Sequence, residues 1–138
     1  MTLEEFGTRA ISVPYKERGR DWSGWDCWGL VTVFQKEMFS IDVGDFSAEY
    51  KPDASFEELS KLIERELPDW QQIQFPMFGD VALYRVGRFP SHVGLIFPFR
   101  HRTGILHCEA KIGTVIEPID TRVWVKRIEG YYRHHSRF

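Results

Sequence analysis

Hydrophobic positions recur at helical spacing after Asp26. They are separated by one, three and four residues and fall at Leu30, Val31, Phe34 and Met38. This period puts them on one face of a helix and predicts a helix over about 27–39. Asp26 is a suitable N-cap because its carboxylate can accept hydrogen bonds from the free amides of the first turn.

A second helix is predicted to begin after Ser55. Ser55 and Glu58 have the spacing of a capping box. Four apolar positions then share one helical face, at Phe56, Leu59, Ile63 and Leu67. Pro68 ends the pattern, since proline cannot continue a helix interior.

From Gly79 onward the pattern changes to short β-rich runs, separated by Gly, Pro and charged turns. The predicted strands span 79–86, 91–97, 105–109, 114–119 and 123–132. The segment 7–25, rich in glycine and charge, predicts a loop with one short helical turn. Helices followed by an antiparallel meander predict an α+β fold.

Length and charge narrow the class of protein. The chain has 138 residues, the size of one domain, and we expect residues 1–138 to form a single domain. Its net charge of −2 offers no basic field for nucleic acid. No apolar run approaches the ~18 residues of a membrane span. The first ten residues lack the apolar core of a secretory signal, so we expect synthesis in a cytoplasm without a leader.

The chain holds two cysteines, Cys27 and Cys108. In a reducing compartment such thiols are reactive or structural. Cys27 lies at the first position of a predicted helix, where the partial positive charge of the helix end favours a thiolate. A small buried side chain that packs the start of the helix is the equal alternative.

A nucleophilic thiol needs a base, and the base needs an orienting partner. His92 begins one predicted strand and His107 lies on the next. A hairpin that folds between Phe99 and Arg100 would place the two histidines opposite each other, with Cβ atoms about 4.5–5.5 Å apart. Either histidine alone is better explained as an ordinary core or surface residue, but together with Cys27 they favour catalysis. Cys108 follows His107, so we expect it to point to the other face as a core thiol.

Four blocks of the sequence resemble the NlpC/P60 cysteine peptidases. They are Gly24-Trp25-Asp26-Cys27-Trp28-Gly29-Leu30, Gly79-Asp80-Val81, Ser91-His92-Val93-Gly94-Leu95 and His107. The resemblance extends from Pro14 to about Tyr132. It implies a papain-like α+β domain in which the nucleophile's helix packs on an antiparallel sheet of five or six strands.

By this resemblance, Cys27 is the nucleophile, His92 the general base and His107 the orienting residue. Tyr15 matches the family's tyrosine, whose hydroxyl helps the cysteine's backbone amide to stabilise the oxyanion. An ordinary packed loop tyrosine is its equal alternative. The sequence departs from the family in Arg18-Gly19, where a Gly-Gly pair is usual, and in a longer gap between the two histidines.

The remaining candidates have simpler explanations. We expect Asp26 to act as a cap rather than as a catalytic acid. His134 and His135 are expected in a solvated tail rather than in a metal site. The implied chemistry needs no metal and no organic cofactor. Four tryptophans could line a glycan groove, although we expect at least two to serve the core: Trp22, Trp25, Trp28 and Trp70.

Within the family, Trp28 and the ending 127–133 resemble short members associated with phage tails. This implies a cysteine endopeptidase that cleaves peptidoglycan stem peptides, at the bond between γ-D-glutamate and the diamino acid. A phage or phage-like tail would carry it to the periplasm or cell wall to aid genome entry. The implied partners are a peptidoglycan peptide and tail-tip or hub proteins.

Two other classes of function fit parts of the pattern. A structural tail-tip module with weak, gated or absent catalysis remains open. An acyltransferase or lipid thioesterase on a related papain-like fold is disfavoured, since those proteins place the histidine before the cysteine. A CHAP-type amidase shares the order of cysteine and histidine, but the Asp-Cys-x-Gly-Leu block and the histidine at the third position favour NlpC/P60.

Overall fold

The computed structural model describes residues 1–138. The helices are α1 (Leu3–Ala10), α2 (Cys27–Phe39), α3 (Phe56–Glu66) and α4 (Arg122–Val125). The strands are β1 (Arg20–Asp21), β2 (Gly24–Trp25), β3 (Trp70–Ile73), β4 (Val81–Val86), β5 (Phe89–Phe99), β6 (Arg102–Glu109), β7 (Gly113–Pro118) and β8 (Ile128–His134). Short 3₁₀ helices follow α3 at Leu67–Asp69 and β8 at His135–Arg137.

Six strands form one antiparallel sheet in the order β3-β8-β4-β5-β6-β7. Strands β4 to β7 follow one another as a meander, and β8 returns to lie between β3 and β4. Strands β1 and β2 form a separate small hairpin just before α2. The predicted α+β class and the sheet of five or six strands are therefore confirmed.

The two predicted helix starts are confirmed by their caps. The Asp26 carboxylate accepts a hydrogen bond from the Gly29 amide at 2.8 Å, which satisfies one of the free donors of α2. Ser55 does the same for α3, where its hydroxyl accepts from the Glu58 amide at 3.2 Å. Pro68 lies in the 3₁₀ helix that follows α3, so the regular helix ends close to the predicted position.

The sheet buries apolar side chains on both of its faces. The helical side forms the larger core, which includes Phe6, Trp25, Phe34, Leu95 and Leu106. The other face carries a smaller cluster covered by Trp124 of α4, with Ala82, Tyr84, Ile96 and Ile105. Because side chains alternate along a strand, neighbouring residues of β5 and β6 serve different cores.

Three elements differ from the sequence-based expectation. The N-terminal residues form α1, where Thr2 and Glu5 make a reciprocal capping box. The strand predicted over 123–132 is wrong in its first half, because 122–125 turns into α4 and buries Trp124 under the sheet. Strand β3 was not predicted, and its short polar run is held by pairing with β8. None of the helices combines the length and the apolar character needed to cross a membrane.

The C-terminal histidines are only partly the solvated tail that was expected. His134 pairs with Trp70 across β3 and β8, and the two rings pack edge to face with centroids 5.2 Å apart. His135 is exposed, as predicted. The C-terminus is fixed by Asp80, a fully buried carboxylate that binds the guanidinium groups of Arg133 and Arg137, each at 2.7 Å.

Candidate active site

Cys27 is the first residue of α2, and its sulfur faces the beginning of β5. The Sγ atom lies 3.9 Å from the Ser91 carbonyl oxygen, and the Val93 amide donates a hydrogen bond to the sulfur. Asp26 caps the first turn of α2 and so fixes where the helix begins. This places the Cys27 thiol beside β5, the strand that carries His92.

A cavity of about 380 Å³ opens in front of this thiol. Cys27, His92 and Tyr15 all line it, so three of the four residues predicted for the site share one cavity. Most of its lining is apolar, and part of that lining comes from α3 and the segment before it: Phe46, Phe56, Leu59, Leu62 and Ile63. Ser91 also lines the cavity, but its hydroxyl is buried and has no protein partner.

His107 lies behind His92 rather than in the cavity wall. The Nε2 atom of His92 is 2.8 Å from Nδ1 of His107, and Nε2 of His107 is 2.5 Å from an oxygen of Glu117. His107 is completely buried and His92 is 8% exposed. The three side chains therefore form one hydrogen-bonded row that ends at a partly exposed carboxylate. Since one ring nitrogen of His92 is used by His107, Nδ1 is the nitrogen left for a thiol.

The predicted register between β5 and β6 is wrong, because each residue of β5 faces a residue of β6 two positions beyond the predicted one. Leu95 pairs with Leu106 and Phe99 with Arg102, so the hairpin turns at 100–101 and not between Phe99 and Arg100. His92 consequently lies two residues before Gly94, the position of β5 next to His107. The shift is even, so both rings remain on the same face of the sheet and meet diagonally.

Gly94 makes the room for this diagonal contact. A Cβ atom at Gly94 would lie 3.1 Å from the Cβ of His107 and 2.6 Å from a methyl group of Ile105. A side chain there would push against the backbone position from which the His107 ring projects. Glycine at this point therefore allows the two imidazoles to approach each other.

The thiol and the imidazole are both shifted toward their neutral forms. Burial, reinforced by the negative charge of Asp26, raises the pKa of Cys27 to about 12. Burial, together with His107 and Arg127, lowers the pKa of His92 to about 3. The expected preference for a thiolate at the helix end is opposed by desolvation, the largest cause of the raised pKa of Cys27.

Asp26 makes further hydrogen bonds besides the one that caps α2. Its carboxylate accepts hydrogen bonds from the Arg20 guanidinium at 2.8 Å, from the Arg18 amide at 3.0 Å and from the Tyr50 hydroxyl. Burial and the charge of Asp26 raise the pKa of Tyr50, so this hydroxyl remains a donor. The structure confirms Asp26 as a cap, and adds Arg20 and Tyr50, which no sequence motif indicated.

Tyr15 is held at the rim of the cavity by its neighbours in the chain. A parallel bridge links it to Trp25, with hydrogen bonds from the Trp25 amide to Pro14 at 3.3 Å and from the Lys16 amide to Trp25 at 3.0 Å. Burial and the charge of Asp26 raise the pKa of its hydroxyl. The hydroxyl therefore stays protonated and can donate a hydrogen bond into the cavity.

Cys108 is a core thiol, as predicted. It is 1% exposed, and its sulfur donates to the Trp25 carbonyl oxygen at 3.4 Å. Burial raises its pKa to about 11. The second cysteine therefore supports the segment before α2 rather than acting as a second nucleophile.

Glu117 is the site residue that sequence reasoning missed. Its signal was a single acidic residue in an otherwise apolar strand, at a position where β7 pairs with the strand of His107. The side-chain atoms of His107, Glu109 and Glu117 that could bind a metal lie within 4.8 Å of one another. Within this group, the short distance between His107 and Glu117 is explained by their hydrogen bond.

A model of the NlpC/P60 family matches residues 12–133. The crystal structure of the NlpC/p60 domain of the peptidoglycan hydrolase SagA is similar to this chain at 14% identity, with a TM-score of 0.61 and 95% of both chains covered. A comparison with curated protein sequences found no match.

Two longer proteins of known structure are also similar. An NlpC/P60 family protein from Bacillus cereus ATCC 10987 is 15% identical, with a TM-score of 0.69 and coverage of 97% of this chain and 40% of that one. Ly7917, solved with the hydrolyzing product of MDP, is 14% identical, with a TM-score of 0.53 and coverage of 96% of this chain and 63% of that one. The chain thus spans less than two thirds of these two proteins, and at such identities the likeness concerns the fold.

Proposed function

Because this chain belongs to the NlpC/P60 family, which is a family of cysteine peptidases, we propose that it is a cysteine endopeptidase acting on peptidoglycan stem peptides. The observation that carries the proposal is the shared cavity, which both Cys27 and His92 line while Nε2 of His92 contacts His107. A thiol, an imidazole base and an oriented second imidazole are the parts that acyl transfer needs.

The reaction begins with a neutral thiol and a neutral imidazole. The Nδ1 atom of His92 takes the proton of Cys27 as the sulfur attacks the carbonyl carbon of the scissile amide, so a C–S bond forms and the carbonyl π electrons move to oxygen. Two donors serve this oxyanion: the Cys27 backbone amide, in the first turn of α2, and the Tyr15 hydroxyl. One such donor is typically worth about 3 kcal/mol in the transition state.

Collapse of this intermediate breaks the C–N bond. The imidazolium of His92 gives its proton to the departing amine, which leaves a thioester on Cys27. His92 then takes a proton from water as the water attacks the thioester, and it returns that proton to the sulfur. His107 accepts from Nε2 of His92 throughout, so the ring is held in one orientation for both proton transfers.

For the substrate, we propose the bond between γ-D-glutamate and the diamino acid of the stem peptide. The support is the similarity to the peptidoglycan hydrolase SagA and to Ly7917, which was solved with the hydrolyzing product of MDP. Tyr15 and charged residues that line the cavity, among them Lys51 and Arg127, supply polar contacts for a peptide.

For the biological setting, we propose that a phage or phage-like tail carries the protein to the cell wall, where it aids genome entry. The support is Trp28 in place of the usual serine and the ending 127–133, both of which resemble tail-associated members. Partners would be tail-tip or hub proteins, and the site of action would be the periplasm or cell wall.

A structural tail-tip module with gated or absent catalysis is the alternative. It is favoured by the surroundings of Cys27, because burial and the charge of Asp26 raise the pKa of the thiol and favour its less nucleophilic neutral form. In that case a neighbouring protein would be needed to complete the site or to lower this pKa.

The test is digestion of purified sacculi by the reduced protein, with products identified by mass spectrometry. We expect stem-peptide fragments whose masses place the cut between γ-D-glutamate and the diamino acid. Cys27→Ala should release none, and Cys108→Ala, the matched control in the core, should release the same fragments as the wild type. Absence of fragments from a folded wild type whose Cys27 still alkylates would contradict the enzyme and favour the structural module.

A further inference from the structure

We propose that Glu117 is a positioning residue that fixes the protons of both histidines, so that His92 presents an unprotonated Nδ1 atom to Cys27. The inference rests on the proposed peptidase function for its consequence, but its geometry is independent of any substrate. It follows from the row His92, His107 and Glu117 and from the number of protons that each ring can carry.

A neutral imidazole has one donor nitrogen and one acceptor nitrogen. The contact of 2.8 Å between Nε2 of His92 and Nδ1 of His107 therefore allows two arrangements. Either His92 donates, which leaves its Nδ1 without a proton, or His107 donates, which forces the proton of His92 onto Nδ1. Only the first arrangement provides a base for the thiol.

Glu117 selects between the two. An ionised carboxylate can only accept, and it lies 2.5 Å from Nε2 of His107. His107 must then carry its proton on Nε2, so its Nδ1 accepts and His92 must donate. The carboxylate of Glu109 is 3.9 Å from the same nitrogen, which is beyond hydrogen-bond distance, so it cannot make this selection.

The strand register explains why Glu117 reaches the ring. Ile105 pairs with Glu117, and His107 pairs with Val115, so Glu117 meets His107 diagonally on the same face. His92 meets His107 by a similar diagonal from the other side. The three side chains thus cross β5, β6 and β7 in sequence, from the cavity to a carboxylate that is partly open to solvent.

This arrangement also stabilises the charged state during turnover. When His92 gains the proton of Cys27, the positive charge lies on a row that ends in a negative group. The His107 ring between them is fully buried, so solvent does not separate the two charges along the row. Loss of the carboxylate should therefore lower kcat rather than weaken substrate binding, because Glu117 does not line the cavity.

The test is nitrogen-15 NMR of the histidine rings at neutral pH, combined with kinetics. In the wild type we expect both His92 and His107 to carry their proton on Nε2. In Glu117→Ala we expect His92 to shift toward the form with its proton on Nδ1, and kcat to fall by about 100-fold with little change in KM. Glu117→Gln, whose amide oxygen still accepts, should restore the wild-type tautomer and part of kcat.

The control is Glu129→Gln, an exposed residue on β8 that pairs with Arg85 and should change neither measurement. A wild-type His92 with its proton on Nδ1, or an unchanged tautomer in a folded Glu117→Ala, would overturn the proposal. The NMR result does not depend on peptidoglycan cleavage, so it tests Glu117 even if the proposed function fails. If Glu117→Ala does not fold, the wild-type tautomer and Glu117→Gln still decide.

Discussion

The ring of Trp124 covers the ring of His92, with centroids 4.5 Å apart and planes within 23° of parallel. Trp124 is 8% exposed and comes from α4, the short helix that sequence patterning predicted as strand. It shields one face of the imidazole from water. Because burial is the main cause of the low pKa of His92, this tryptophan helps to keep the base neutral.

Trp124→Leu should therefore raise the pKa of His92 from about 3 toward the ordinary value of about 6.5. The acid limb of kcat/KM should move to higher pH, so activity at pH 5 should fall more than activity at pH 7. The loss of ring packing should also cost roughly 2–4 kcal/mol of stability. NMR titration of His92 measures the first effect, and an unchanged pKa would show that the tryptophan does not provide the shielding.

His92 should also make stability depend on pH. Between its folded pKa of about 3 and an unfolded value of about 6.5, the unfolded chain binds a proton that the folded chain does not. The free energy of unfolding should consequently fall as pH drops through this range, by about 1.4 kcal/mol per unit from this residue. Urea unfolding at pH 7 and pH 5 measures the slope, and His92→Gln should lose that share of it. Equal slopes in both proteins would contradict the assignment.

Asp26 should slow the reactivity of Cys27. Its negative charge is the second cause of the raised pKa of the thiol, after burial. Asp26→Asn keeps an N-cap side chain but removes the charge, so iodoacetamide should alkylate Cys27 several-fold faster at pH 8. The matched control is Asp45→Asn, an exposed carboxylate that also pairs with Arg20, at 3.3 Å. Alkylation is measured by intact mass. Equal rates in the wild type and Asp26→Asn would show that the charge of Asp26 does not slow the reaction of Cys27.

Asp80 should be a large contributor to stability. It is fully buried and paired with Arg133 and Arg137, so Asp80→Asn would leave two guanidinium groups with a neutral partner. We expect a loss of about 3–5 kcal/mol. Asp120→Asn, which breaks the exposed pair with Arg102, should cost less than about 1 kcal/mol. Urea denaturation of the two variants compares their free energies of unfolding. Similar losses would show that the buried ion pairs of Asp80 contribute no more than the exposed pair of Asp120.

The sequence predicted those parts of the fold that local chemistry determines. The caps at Asp26 and Ser55 and the apolar period of α2 are local signals, and each element begins where they indicated. The segment 122–125 contains β-branched residues that favour a strand, but burial of Trp124 beneath Tyr84 and His92 overrides that preference. Such long-range packing cannot be predicted from a short segment of the sequence.

The candidate site shows the same division. Cys27, His92 and Tyr15 were predicted from motifs and line one cavity, while their catalytic roles remain predictions. The register between the strands of His92 and His107 depends on the position of one turn. Because the observed register differs from the predicted one by two residues, both rings stay on the same face. Glu117 was missed because its contact depends on the pairing of β6 with β7, which no motif encodes. The pKa of Cys27 was misjudged because desolvation cannot be deduced before the cavity is known.

The apolar lining of the cavity and the row of imidazoles come in part from different segments of the chain. Apolar residues of α3 and the segment before it line the cavity, whereas the row of imidazoles and carboxylate lies on β5, β6 and β7. No hydrogen bond joins Glu117 or His107 to α3. Substitutions on the cavity side of α3 can therefore change which side chains a bound molecule meets without removing a hydrogen bond from the row of His92, His107 and Glu117.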